Sequence, residues 1–273
     1  MLLSLSSIFG INGNTQHCLL WDVFNRIKMR IIKTTSWHEL AEKHNIPIFN
    51  MSEFHKIPDG ITCILITGDN GFYHKQNKIE CCSQGDIKKL PYISDVRIPD
   101  STIFSTNASI WHPNVIPIPI GVLEFDESML KQDSFGIEKT IVCYANFNPW
   151  CGRDRVVQAI KHHEFIYWKR HDGPDAHSLY LKDLCNSNFV ISPFGNGMDC
   201  YRVWESIYCG AIPIVPRCVM YERFVGLPII MLDSWDNFGT DIIQRYYDDL
   251  KAKGGSYDYA DLDYWEERIL GSL

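Results

Sequence analysis

An α/β fold built on parallel strands is the architecture this sequence predicts, and three stretches predict it. Residues Asn188 to Arg217 write a strand, a tight turn, a helix and a second strand without interruption. Ile61 to Thr67 is a continuous apolar run, the pattern of a strand buried on both faces of a parallel sheet. Thr140 to Tyr144 is another β-type run, and a helical stretch follows it closely, the order from which βαβ crossovers are made.

In chain order, Asn14 to Arg30 has helical spacing around Leu19, Leu20, Val23, Phe24 and Ile27, and Ser36 is placed to cap a helix over Trp37 to His44. The earliest strand is not legible. Ile61 to Thr67 ends in Gly68-Asp69-Asn70-Gly71, a turn, and Ser101 to Thr106 is the next strand. Val115 to Val122 reads VIPIPIGV; its prolines suit an edge or a linking segment rather than a central strand, because proline cannot donate to the ladder. Polar residues and Gly136 between Lys131 and Lys139 mark a domain boundary. Beyond it come the strand Thr140 to Tyr144, a helix from Arg153 and Arg155 to about His162, a strand at Phe165 to Trp168, a helix at Ser178 to Cys185 and a last strand at Ile229 to Leu232. Trp235 to Leu273 reads as helix with aromatic anchors, broken at Gly254-Gly255.

The stretch from Asn188 to Arg217 carries the functional expectation. Phe189 to Ser192 is a strand stopped by Pro193, and Gly195, Asn196 and Gly197 offer positive-φ capacity and no bulk, so that backbone N–H groups there can approach an anion. Asp199 is the expected N-cap of a helix from Cys200 to Cys209, Gly210 its stop, and Ala211 to Val215 a buried strand ended by Pro216. Ligands of such units lie beyond the carboxyl ends of the strands, with phosphates at the helix start. Arg202 and Glu205, three apart, share one helical face near that start. An arginine there forks onto a diphosphate, and a carboxylate accepts paired hydroxyls. On an ordinary helix the same pair would be a surface ion pair worth at most ~0.5 kcal/mol.

The segment SPFGNGMDCYRVWESIYCGAIPIV resembles the signature of exostosin-like glycosyltransferases. The RVWE variant is most similar to xylosyl-transferring members, and the compact, anchor-free form resembles the members of large algal viruses. The resemblance implies a GT-B fold, two Rossmann-like domains facing a central cleft, and inverting transfer from a UDP-sugar. On that reading residues 1–135 form an acceptor-side domain, 136–245 the nucleotide-sugar domain and 246–273 a helical segment crossing back to the first. Eukaryotic members carry an N-terminal anchor, which this chain lacks on this reading: Met1 to Phe9 is mildly apolar without a basic flank, so a cytoplasmic location is expected, that of the host if the source is viral.

A net charge of −7 argues against a general nucleic-acid binder, and the expected partners are a UDP-sugar and a carbohydrate acceptor, with no membrane span. Ten cysteines without repeated CxxC spacing, two of them adjacent at Cys81-Cys82, read as mostly reduced and buried.

Inverting transfer needs a base near the acceptor hydroxyl and positive charge on the departing diphosphate. Asp69, at the end of a buried strand in the first half, is the candidate base, against the ordinary role of a turn aspartate; Asp100 and Asp126 stand in reserve. Arg153, Arg155 and Arg202, with Asn148, Ser192 and the Gly195–Gly197 turn, are candidates for the diphosphate, and Asn196 and Asp199 for the sugar, with Glu205 completing the donor set. No metal or other cofactor is then expected: the single DxD, Asp261-Leu262-Asp263, sits in a terminal helical region rather than after a mid-chain strand. A GT-B nucleotide-sugar epimerase and a non-catalytic sugar-nucleotide or glycan-binding protein remain as alternatives.

Overall fold

The computed structural model describes residues 29–50, 53, 57–58, 60–68, 100–108, 110–124, 130, 139–149 and 152–273. Asp69, Asp126, Cys81-Cys82, nearly all of the helix expected over Asn14 to Arg30 and most of the expected domain boundary lie outside them.

Two all-parallel sheets carry the fold among the described residues. The first takes strands β1 (Ile48–Asn50), β2 (Cys63–Thr67), β3 (Thr102–Ser105) and β4 (Val115–Pro117) in that order. Helix α1 (Ser36–His44) precedes it. The second is ordered β6-β5-β7-β8-β9, from β5 (Ile141–Ala145), β6 (Ile166–Trp168), β7 (Ser187–Ile191), β8 (Ile212–Pro216) and β9 (Ile230–Leu232). Its connections hold helices α2 (Asp154–Ile160), α3 (Ala176–Cys185), α4 (Tyr201–Tyr208) and the short α5 (Val219–Glu222); α6 (Thr240–Lys253) and α7 (Leu262–Leu270) follow β9.

Strand periodicity sorts the core. In β2, Ile64 and Ile66 pack on one face with Ile103 and Val115, while Cys63 and Leu65 face the other way into a large cluster shared with the second sheet. In β7, Val190 joins that shared cluster while Phe189 and Ile191 pack with Val156, Ile160 and Ile243 on the opposite face. Trp37, Trp204 and Trp265, each no more than 1% exposed, fill the shared cluster from α1, α4 and α7. Removing such a side chain costs about 3–5 kcal/mol.

The VIPIPIGV segment is the edge strand its prolines require, and it continues as a connector to the residues before α1: Val122 N–H donates to Ile32 O at 2.9 Å and Thr34 N–H to Val122 O at 2.9 Å. Gly121 makes this approach possible, since it has φ +78° and a Cβ would lie 2.5 Å from Ile32 O. Helix α1 begins one residue before the expected Trp37, with Thr35 rather than Ser36 at the cap position, because Ser36 is buried and its hydroxyl oxygen accepts from Lys33 N–H at 2.9 Å. The strand β1, not legible in the sequence, is three residues long and pairs with β2.

Cys185, ending α3, and Cys209, just after α4, form a disulfide, an exception to the expected reduced thiols; Cys63, Cys143, Cys200 and Cys218 are free. The expected boundary at 246 falls inside α6, whose Ile243, Tyr247 and Leu250 pack as one face on the second sheet. The return toward the first sheet starts only after Gly254. There the Asp261-Leu262-Asp263 triplet serves as a helix start and a tie: Asp261 Oδ1 accepts from Asp263 N–H and from Arg30 N–H, each at 3.1 Å, and Asp263 pairs with Arg30 at 2.5 Å. Glu266 on α7 completes the clamp with Lys43 at 2.5 Å, His44 at 2.6 Å and Arg30 at 3.1 Å.

Hydrogen bonds from Lys43 and His44 hold the Glu266 carboxyl down at about 2, below its ordinary 4.5. The native state therefore binds fewer protons there than the unfolded chain, and the clamp's contribution is present above about 4.5 and lost as pH falls toward about 2. Urea unfolding across this range is expected to show Glu266→Gln less stable than wild type by about 1 kcal/mol at neutral pH, with the two curves converging as acid titrates the wild-type carboxylate. A constant gap across the whole range would contradict the clamp.

Candidate functional site

The order β6-β5-β7 places the switch point of the second sheet between β5 and β7, from which the chain leaves to opposite sides. In open parallel sheets that crevice, beyond the carboxyl ends of the strands, is where ligands bind. A cleft of about 440 Å³ opens there, within the ordinary range of small-ligand sites. Asn146 enters it from the end of β5, Arg153 from the start of α2, Ala176, His177 and Tyr180 from the first half of α3, and Cys200, Tyr201, Arg202 and Glu205 from the start of α4. Leu123, beyond β4, closes it from the side of the first sheet.

Arg153 is 7% exposed and locked in place. Its Nε donates to Phe194 O at 2.8 Å and its Nη1 to Asn148 O at 3.4 Å, with the guanidinium 5.9 Å from the centre of the Phe147 ring. A Cβ on Gly195 would lie 3.4 Å from Arg153 Nη2, an ordinary contact, so the turn runs directly against the guanidinium. Arg202 is partly buried, and its Nε is a buried donor without a partner among the described residues, an arrangement that costs stability unless something else accepts from it. Burial opposes its charge, but Tyr180, Cys200, Glu205 and Tyr144 around it raise its pKa above the ordinary arginine value. Two cations and the N-terminal end of α4 thus line one cleft, the arrangement that suits an anion.

Glu205, 4% exposed, accepts a hydrogen bond from the Tyr180 hydroxyl. Burial first, then the Glu205 charge, hold the Tyr180 hydroxyl well above its ordinary pKa, so it stays a donor. Arg202 and Glu205 therefore share the helical face expected of them, and that face lines a cleft rather than solvent.

Other expected site residues sit elsewhere. Asp199 is not the N-cap: α4 starts at Tyr201 after Cys200 in extended conformation, and the Asp199 carboxylate is buried. Its Oδ2 accepts from Ile120 N–H at 2.8 Å; its Oδ1 accepts from Cys200 N–H at 3.0 Å, Trp204 Nε1 at 2.8 Å and Tyr221 OH at 3.0 Å. Asp199 N–H donates to Asn107 Oδ1 at 2.8 Å. Burial pushes this carboxyl up to about 6 against the pull of those donors. Ser192 is likewise buried, with its N–H given to Ile214 O at 2.8 Å. Gly195 and Gly197 do not use positive φ, and Gly195 N–H donates to Gly197 O at 3.0 Å, so the turn closes on itself instead of presenting that N–H to a ligand. Asn148 and Asn196 are exposed and do not line the cleft.

Arg155 is a correction of the same kind. It points away from the cleft and pairs with Asp236 at the surface, Nε to Oδ1 at 3.1 Å. On α2 it stands two positions from Arg153, and residues two apart on a helix face different directions. Asp100 is exposed, and Asp69 follows Gly68, whose carbonyl accepts from Thr106 Oγ1 at 3.1 Å and Asn107 Nδ2 at 3.2 Å. Sequence reading missed His177 and Tyr180. The signal was the helix after β6, which must begin on the same sheet edge as the helices after β5 and β7.

A family model described as the RXYLT1 C-terminal domain matches residues 153–247, about a third of the chain, running from Arg153 through α3 and α4 into α6. This match to a xylosyltransferase family gives the chain a glycosyltransferase relationship. Among curated proteins no match is found. No helix among the described residues is long and apolar enough to cross a membrane.

The placements separate two expected site residues by experiment. Asp199→Ala strands the Ile120 and Cys200 N–H groups and the Trp204 indole, leaves the Tyr221 hydroxyl only Met198 O at 3.2 Å, and is expected to lower stability by about 3–5 kcal/mol in denaturant melts. Arg155→Ala removes a surface pair and is expected to change it by less than ~0.5 kcal/mol. The reverse order of effects would contradict the assignment.

Proposed function

We propose that the chain is an inverting glycosyltransferase of the exostosin-like kind that moves a sugar, with xylose from UDP-xylose as first candidate, onto a hydroxyl of a glycan acceptor. The observation that carries this reading is the meeting of Arg153, Arg202 and Glu205 in one cleft at a parallel-sheet switch point, inside the segment matched by a xylosyltransferase family model.

In this account the diphosphate lies against the Arg153 and Arg202 guanidinium groups and the start of α4, while Glu205 takes hydroxyls of the ribose. The two sheets act as the halves of a GT-B enzyme, with the second holding the donor and the first facing the acceptor. A carboxylate, assigned to Asp69 beyond the carboxyl end of β2, takes the acceptor's proton. The acceptor oxygen then bonds to the anomeric carbon from the face opposite UDP, and the bond from that carbon to the phosphate oxygen breaks. The electron pair leaves with UDP, whose added charge the guanidinium groups stabilise. Because two arginines supply the positive charge, the reaction is proposed to run without a divalent cation.

Product analysis of UDP-xylose with simple glycoside acceptors tests the reading. Transfer with inversion is expected, and it should persist in EDTA. Arg202→Ala should lower kcat/KM by about 100-fold or more, the scale for removing one group that stabilises developing charge. Asp69→Asn should retain UDP binding yet lose transfer. Near-normal turnover in either variant, or a strict requirement for manganese or magnesium, would overturn the corresponding assignment.

A further inference from the structure

Helices α3 and α4 lie side by side, and two cross-links join them. The Cys185–Cys209 disulfide ties their far ends. Nearer the cleft, the Tyr180 hydroxyl on α3 donates to Glu205 Oε2 on α4. Cys185 lies five residues beyond Tyr180 and Cys209 four beyond Glu205, so the two links stand about one turn apart along the same seam.

The Tyr180 ring packs against two neighbouring rings. Its centroid lies 6.1 Å from that of Tyr144 and 5.8 Å from that of His177. Tyr144 is itself anchored, accepting from Asn146 Nδ2 at 3.0 Å and donating to Lys169 O at 3.3 Å. A ring fixed by packing and a hydroxyl that stays protonated make a rigid donor, and a rigid donor fixes the carboxylate that accepts from it.

We propose that Tyr180 is a positioning residue: its hydroxyl holds the Glu205 carboxylate oriented to receive the ribose hydroxyls of the nucleotide, and so sets preference for ribonucleotides over 2′-deoxyribonucleotides. This rests on the reading of Glu205 given under the proposed function. The hydroxyl contributes by limiting rotation of the carboxylate, so its effect falls on ligands that use both ribose hydroxyls and spares those that use one.

Calorimetric titration of the full chain with UDP and with 2′-deoxy-UDP tests it, in wild type, Tyr180→Phe and Glu205→Gln. Phenylalanine keeps the ring packing against Tyr144 and His177 and removes only the donor. Wild type should bind UDP about tenfold tighter than 2′-deoxy-UDP, the worth of one hydrogen bond to a charged group. Glu205→Gln should erase most of that preference. Tyr180→Phe should weaken UDP about five- to tenfold and 2′-deoxy-UDP by less than about twofold, shrinking the ratio toward one. A Tyr180→Phe protein that keeps the wild-type ratio, or weakens both ligands equally, overturns the positioning role while leaving the nucleotide reading intact. A preference that survives Glu205→Gln overturns it as well, because Tyr180 then does not act through Glu205. A wild-type protein that binds neither ligand overturns both readings together.

Discussion

A buried carboxylate at Asp199 is the constraint on which the cleft depends. A charge removed from water costs several kcal/mol unless donors surround it, and here the donors come from separate parts of the chain: Ile120 beyond the edge strand, Cys200 and Trp204 at the head of α4, and Tyr221 on α5. Asn107, in the left-handed region at φ 51°, completes the junction by taking the Asp199 N–H and giving its own amide hydrogen to Gly68 O. One side chain thus ties the turn after β7 to the first sheet. Since α4 starts one residue after Cys200, the direction in which Arg202 and Glu205 point is set by the same junction.

From that junction the chemistry of the cleft follows through packing. Trp204 faces inward to Asp199 and the shared core, so Arg202 and Glu205, two before and one after it, face other directions around the helix and reach the cleft. The switch point between β5 and β7 brings α2 and α4 to either side of one crevice, each with an arginine near its start, and α3 supplies the wall that holds Glu205. The anchor of the C-terminal helix to Arg30, Lys43 and His44 through Glu266 ties the end of the chain to the segment around α1.

Local patterns were legible in the sequence, and long-range partners were not. The β7-α4-β8 unit was read nearly to the residue, because a strand stopped by Pro193 and a helix stopped by Gly210 both obey short-range rules. The edge position of VIPIPIGV followed from proline's missing donor, and the break after α6 from Gly254. Asp199 misled because the nearest donors suggested a cap, whereas its decisive partner, Ile120, lies 79 residues away. Arg155 misled for a similar reason: its partner Asp236 is 81 residues on, and only the helix geometry turns it from the crevice that Arg153 enters. Strand β1 escaped notice because three residues carry too little periodicity to register.

The central claim is that a sugar nucleotide sits in the crevice at the head of α4, its diphosphate against Arg153 and Arg202. A crystal structure of the chain with UDP tests it most directly. The account predicts phosphate oxygens within hydrogen-bonding distance of both guanidinium groups, the buried Arg202 Nε among the donors, and the ribose beside Glu205. UDP bound elsewhere on the molecule, or in the cleft with its phosphates turned away from both arginines, would contradict it.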